Sequence, residues 1–443
     1  MKHFTLELFN LHKSKYKGNY FLSKVTMRSF LKYCKFSDFP IENLPYGIFT
    51  APGKLKPRIG VAIADSILDL NEVFDGPELK KHQHVFKEST LNRFMGLTPK
   101  AWKEARNTIQ NILSEDNPVL QNDDILRKKA FTRQSEAKMH LPAQIGDFTD
   151  FSSSIHHAKN AGNIFRGKEN AIATNWKHLP VAYHCRASTV VISGTPIHRP
   201  YGQAVLEDGG HPVFGPSKLM DYELEMAFFV GGTNNLGEPI KVENAQDHIF
   251  GFVIMNDWSA RDILSWEYVP LGPFVSKNFS TTISPWVVTT FALEPFKTDN
   301  YPQEPEPLPY LRHSDNFNYD IHLQVDVTPK GDTMSRTVCR SNFKNLYWTP
   351  KQQLAHHTIT GCKMNPGDLL GSGTISGESP ESFGSTLELA WKGTKPRNLL
   401  DGSQNKFLQD GDTVTMTAVC KGDTYNIGFG TCVGTLLPPK NNY

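Results

Sequence analysis

Along most of this chain, hydrophobic and polar positions change with a short period, and helical spacing is confined to a few stretches. LPYGIFT (44–50) and RIGVAIADSILDL (58–70) alternate small and apolar residues around an Ala64-Asp65 turn, which predicts a hairpin of a small barrel. Thr98-Pro99 opens a helix: a hydroxyl N-cap and proline at N1 precede Trp102, Ala105, Ile109 and Ile112 at helical spacing. A shorter helix is expected from Asp124 to Phe131. The apolar run from Ile249 to Met255 predicts a buried strand that delivers Asp257 at its end. DIHLQVDVTP (320–329), GDLLGSGTISG (367–377) and STLELAWKG (385–393) read as further strands, the last two carrying Thr374 and Glu388. Thr349-Pro350 repeats the helix-start signal, residues 294–311 form a proline-rich loop, and residues 411–434 end the chain in hairpins.

Composition turns this pattern into a fold class: mainly β with some α, in two domains. With 443 residues, 39% apolar, the chain has material for large cores, and 29 prolines with 33 glycines fit many turns between short strands. Residues 37–140 are expected to form a structural domain in which His82 and His84 are solvated, and residues 141–443 the domain that carries chemistry. Residues 1–36 hold eight Lys/Arg against Glu7 alone, and three readings stand: a disordered tail, an extension upstream of Met27, or a presequence. A net charge of +2 gives no support for a nucleic-acid partner, and no apolar run approaches the ~18 residues of a membrane span. Six dispersed cysteines without a CxxC pair point to free thiols in a reducing, cytoplasmic setting.

Candidate chemistry begins after Pro142, with Asp147, Asp150, the His156-His157 pair and Arg166 in one stretch. On a helix capped by Ser153 or Ser154, neighbouring histidines diverge by ~100°, so one can face a site while the other faces solvent. LMDYELEMAFF (219–229) puts Glu223 and Glu225 on one strand face, where they are either a ligand pair needing a cation or a solvated edge. The loop at 256–286 adds Asp257, Arg261 and Lys277. Motifs for dinucleotides, P-loops, zinc proteases and the serine-hydrolase elbow are missing. Oxygen-only ligation suits calcium or magnesium, and with a histidine base it suggests metal-assisted attack of water on an acidic substrate.

SDFPIENLPYG (37–47), HLPAQIGDFTDF (140–151), FRGKEN (165–170), MNDWSARD (255–262), WEYVPLGPF (266–274) and ESFGSTLELAWKGT (381–394) together resemble the fumarylacetoacetase family, from about Phe36 to the end of the chain. The resemblance implies an N-terminal SH3-like β-barrel domain, a C-terminal β-roll catalytic domain and a homodimer. It implies a calcium site on Asp150, Glu223, Glu225 and Asp257, and a magnesium site involving Asp257, Lys277 and Thr281. It further implies His157 as general base held by Glu388, Arg261 and Lys277 around the oxyanion, and Arg166, Tyr183, Tyr268 and Thr374 lining a diketo acid substrate. Cleavage of fumarylacetoacetate, the last step of tyrosine breakdown, is the expected activity. The chain has Ser152 where the family has tyrosine, Leu264 where it has glutamine, and Cys185 where it has glycine. Losing an oxyanion donor costs about 100- to 1,000-fold in a typical hydrolase. Leu264 and Ser152 therefore keep two other expectations open: cleavage of another β-diketo acid such as an acylpyruvate, and a non-catalytic metal-binding protein.

Overall fold

A computed structural model describes residues 27–73, 82–206, 209–390 and 407–440. Of the segment 1–36, residues 1–26 lie outside this set, as does the end of the STLELAWKG segment, whereas residues 27–36 do not form a free tail: Phe30 N donates to Leu113 O at 3.1 Å and the Tyr33 hydroxyl accepts from Ile41 N at 3.0 Å.

Five antiparallel strands build the SH3-like module, in the order Phe131–Arg133, Ser66–Asp69, Lys54–Ile63, Tyr46–Ala51 and Lys138–His140. The expected hairpin turns at Ala64, whose φ of 54° is the left-handed conformation such a tight reversal demands. Helix Pro99–Leu113 starts where the sequence says: the Thr98 hydroxyl accepts from Ala101 N at 3.3 Å, and Trp102, Ala105 and Ile109 are buried. The shorter helix spans Asp124–Ala130. His84 is exposed as expected, but His82 is buried, because the turn Gln83–Lys87 drives Val85 and Phe86 into the core and draws His82 with them.

Beyond residue 140, two larger sheets pack face to face. The first runs Ala182–Cys185, Phe148–Phe151, Leu369–Gly371, Leu224–Val230, Ile249–Asp257, Thr281–Ile283 and Val190–Ile192, with Val288–Thr289 also paired to Ile249–Asp257. The second runs Arg336–Asn342, His322–Thr328, Thr413–Lys421, Asn426–Leu437 and Ile197–His198. Met226, Phe228, Phe252 and Ile254 of the first meet Leu323, Val325, Met416 and Cys432 of the second in one core.

Strand Leu224–Val230 has no solvated side. Met226 and Phe228 face the second sheet, whereas Ala227 and Phe229 join the core of the SH3-like module. There Phe250 meets Phe94 and Trp102 with ring centroids 5.5 and 5.2 Å away. Burial on both faces explains why the strand reads as an almost continuous apolar run.

Two of the expected strands are corrected. Leu369–Gly371 is a strand, but the chain leaves it before Thr374, at Gly373 with φ of +75°. Thr386–Ala390 is a short helix, so Glu388 sits on a helical turn. Its first amides are satisfied locally: Thr386 N and Leu387 N donate to the Asp221 carboxylate at 2.7 and 2.9 Å, and Glu388 N donates to the Ser385 hydroxyl at 3.4 Å. Such capping favours the helical turn over the alternating pattern.

Candidate active site

Strands of the first sheet bring acids to one face. Asp150 lies opposite Gly371, Glu225 opposite Met255, and Asp257 opposite Thr281. All three acids are buried, and they can present oxygens lying within 4.8 Å of one another. Glycine makes this approach possible. A Cβ on Gly371 would fall 2.6 Å from Asp150 Oδ1 and 3.2 Å from Glu225 Oε2. Gly373, turned by its positive φ, donates its amide to both of those oxygens, each at 3.0 Å.

Burial and mutual repulsion govern these acids. Burial, reinforced by the charge of Asp257, pushes the Asp150 carboxyl up to about 7. Burial and the charge of Asp150 raise Glu225 well above the usual range. Glu225 Oε1 finds no hydrogen-bond donor among the described residues. An orphaned oxygen inside an all-oxygen carboxylate cluster fits a hard divalent cation.

Glu223, expected as either a ligand or a solvated edge residue, is 5% exposed, which removes the edge reading. Lys277 Nζ bridges Glu223 and Asp257, 2.7 Å from Asp257 Oδ2, and Arg261 Nη2 lies 2.7 Å from Glu223 Oε1. Burial works against the charge of Glu223, but Lys277 and Arg261 outweigh it and hold the carboxyl far below its ordinary value. Burial is overcome at Lys277 by Asp257 and Glu223, and at Arg261 by Glu223 and Asp221, so both cations stay charged. Thr281 Oγ1 donates to Asp257 Oδ1 at 2.6 Å, and the Tyr183 hydroxyl lies 3.3 Å from both Asp150 and Asp257.

The paired histidines separate as helical geometry requires. Ser154 caps helix Ile155–Arg166, donating toward Ser376 O and accepting from His157 N. His156 Nε2 lies 3.5 Å from the Tyr301 hydroxyl, while His157 faces the acids. His157 Nδ1 is 2.8 Å from Glu388 Oε2. Glu388 also accepts from Asn160, Ser376 and Ser385 at 2.8–2.9 Å. Burial opposes the charge on both members, yet the pairing prevails: His157 is raised and Glu388 lowered from their ordinary values.

These groups converge on a cavity of about 240 Å³. Asp150, His157, Arg166, Tyr183, Glu223, Arg261, Tyr268, Lys277 and Thr374 line it, while Glu225, Asp257, Thr281 and Glu388 support it from behind. Arg166 gives its Nε and Nη2 to the carbonyls of Asn170 and Ala171 at the rim. The wall from Tyr268 to Pro273 is tied down by Glu267, which accepts from the amides of Phe274, Val275 and Ser276. Ser152 and Leu264 both line the cavity; Ser152 accepts a hydrogen bond from the Trp176 indole at 3.3 Å. Sequence reasoning missed Asn160, Ser376 and Ser385. Asn160 was within reach of it, being three residues after His157 and hence on the same helical face; the serines carry no local signal.

Residues 42–142 match the family described as fumarylacetoacetase, N-terminal, and residues 148–437 that described as fumarylacetoacetate (FAA) hydrolase, C-terminal. The chain is 59% identical over 413 residues to the fumarylacetoacetase of Rattus norvegicus, covering 93% of this chain and 99% of the relative. The Homo sapiens fumarylacetoacetase gives the same identity over the same length and coverage. Among solved structures, fumarylacetoacetate hydrolase from Exiguobacterium antarcticum shares the fold with a TM-score of 0.50 at 16% identity, over 89% of this chain and 99% of that one.

Proposed function

The chain belongs to the fumarylacetoacetase family, and on that premise we propose that it hydrolyses fumarylacetoacetate to fumarate and acetoacetate, closing tyrosine and phenylalanine degradation. The observation that carries this reading is the meeting, at one cavity, of the His157–Glu388 pair and the carboxylate cluster. The protein is a hydrolase of carbon–carbon bonds.

Glu388 takes the hydrogen bond from His157 Nδ1, which leaves Nε2 to accept a proton from water. The hydroxide attacks the ketone carbonyl of the fumaroyl half. Arg261 and Lys277, both held charged, face the oxyanion that develops. The C–C bond breaks as the oxyanion collapses, its electrons leave with the acetoacetate carbon as an enolate, and the His157 imidazolium returns the proton. Arg166, Tyr183, Tyr268 and Thr374 line the space for the substrate's carboxylates and diketone. Asp150, Glu223, Glu225 and Asp257 are proposed to hold calcium, with Asp257, Lys277 and Thr281 around a magnesium ion. A divalent cation bound there supplies Lewis-acid polarisation of the diketone.

Residues 37–140 serve as scaffold and 141–443 as the catalytic unit. Val213 and Phe214 on one hairpin and Trp266, Val269, Leu271 and Phe274 beside it make an exposed apolar surface, which supports a second copy of the chain packing there as a homodimer. Trp266 Nε1 meets Gln203 Oε1 at 3.4 Å and joins these two parts. Free cysteines support a cytoplasmic setting.

A panel of diketo acids, assayed with calcium or magnesium and with a chelator, tests the reading. Fumarylacetoacetate is expected to give the highest kcat/KM and chelation to abolish it. Acylpyruvates ranking above fumarylacetoacetate would overturn the substrate assignment. Sedimentation velocity is expected to report a dimer, and a monomer for Phe214→Asp.

A further inference from the structure

Asp221 lies outside the cavity and touches no reacting atom, yet it is bonded to both arms of the site. It is fully buried, at the end of a two-strand pairing of Met220–Asp221 with Ser259–Ala260. Oδ1 accepts from Tyr222 N at 2.8 Å and from Thr386 N at 2.7 Å. Oδ2 accepts from Arg261 Nε at 2.8 Å and from Leu387 N at 2.9 Å. Four donors on two oxygens leave no freedom for the carboxylate. Arg261, so held by Nε, has Nη2 2.7 Å from Glu223 Oε1 and lines the cavity. Leu387 lines the same cavity, and the next residue is Glu388, the partner of His157.

We infer that Asp221 is a positioning residue that sets the oxyanion-side cation Arg261 and the base-side acid Glu388 in one fixed relation. The inference rests on the roles proposed above for Arg261 and Glu388. Only an acceptor at both oxygens satisfies this arrangement. An asparagine would point an NH2 at two N–H donors and break one arm, although its size is unchanged. Buried acceptors of this sort are costly to leave mismatched, because each donor was desolvated to reach them. In the sequence, Asp221, Glu223 and Glu225 stand at alternate positions.

Asp221→Asn tests the idea in the full-length, metal-saturated enzyme. Loss of an orienting partner of this kind costs about 10- to 100-fold in activity, and that loss of kcat is expected with a rise in KM. The acid limb of the kcat profile should move to lower pH, since a His157 less well paired with Glu388 binds its proton more weakly. The imidazole of His157, titrated by NMR in the metal-free protein, should shift the same way. Thr386→Pro separates the arms: it deletes one N–H donor at a first helical position that tolerates proline and leaves Arg261 bonded. It should displace the acid limb with little change in KM. If Asp221→Asn merely melts earlier while kcat, KM and the acid limb match wild type, the inference fails. It also fails if Asp221→Asn does not fold and Thr386→Pro titrates like wild type.

Discussion

At the scale of single residues, the 2.8 Å contact between His157 Nδ1 and Glu388 Oε2 underlies the proposed general base. Since the pairing raises His157, and a general base at this position acts only when neutral, the proposed role predicts that activity falls as pH drops through a value above that of an ordinary histidine. Glu388→Gln removes the main raising charge and leaves burial and Arg261 opposed only by Glu223. The acid limb should then move to lower pH while kcat falls by about 100-fold or more, the scale of general-base catalysis. A pH–rate series on the two proteins checks both parts. Leu264 sets a second expectation. The family resemblance implies a glutamine at this position, and this chain presents an apolar side chain at the cavity wall. Leu264→Gln is expected to raise kcat, with a ceiling of about 100- to 1,000-fold, the worth of one oxyanion donor. Unchanged turnover in that variant would mean that Arg261 and Lys277 already meet the need.

Among the elements, the short segment from Leu369 to Gly373 matters more than its length suggests. Gly371 leaves the gap into which two carboxylates fit, and Gly373 gives one amide to both. Gly373→Ala would place a Cβ 2.0 Å from the Phe151 carbonyl at a φ of +75°. Backbone strain of about 1–3 kcal/mol is expected from the conformation alone, and the steric contact adds to it. Calorimetry should show a lower Tm, and titration with calcium a weaker site. The elements differ in how far their sequences betrayed them. The helix at Pro99–Leu113 and the strand ending at Asp257 were legible, because each is written in a cap, a period or a continuous apolar run. The turn carrying Glu388 was not. TLELA alternates like a strand, and what bends it is the Asp221 side chain from 165 residues earlier, for which local sequence holds no trace. The acid pair was legible as a pair, whereas the choice between ligand and solvated edge depended on how the sheets stack. Burial of Glu223 beneath Lys277 and Arg261 is a tertiary fact.

For the whole molecule, the two modules share material. The core that begins at Ile41 and Leu44 continues through Trp102 into Phe229, Phe250, Val253 and Leu369 of the large sheet, and Tyr46 exchanges backbone hydrogen bonds with Val287. Unfolding of the SH3-like module should therefore expose the back of the catalytic sheet, and a single calorimetric transition is expected. Trp102→Ala, a loss of about 3–5 kcal/mol for a buried aromatic, should lower that transition as a whole without splitting it. The doubly covered strand Leu224–Val230 has another consequence, for the protein's capacity to change. Its apolar positions cannot vary without disturbing one of two cores, so the part of the floor that carries Glu225 is closed to gradual drift. The walls are built otherwise: Ser152 and Leu264 are half-buried, outside that strand, and each fronts open space. Selection can thus recast which acyl group the cavity accepts while leaving untouched the machinery that breaks the bond.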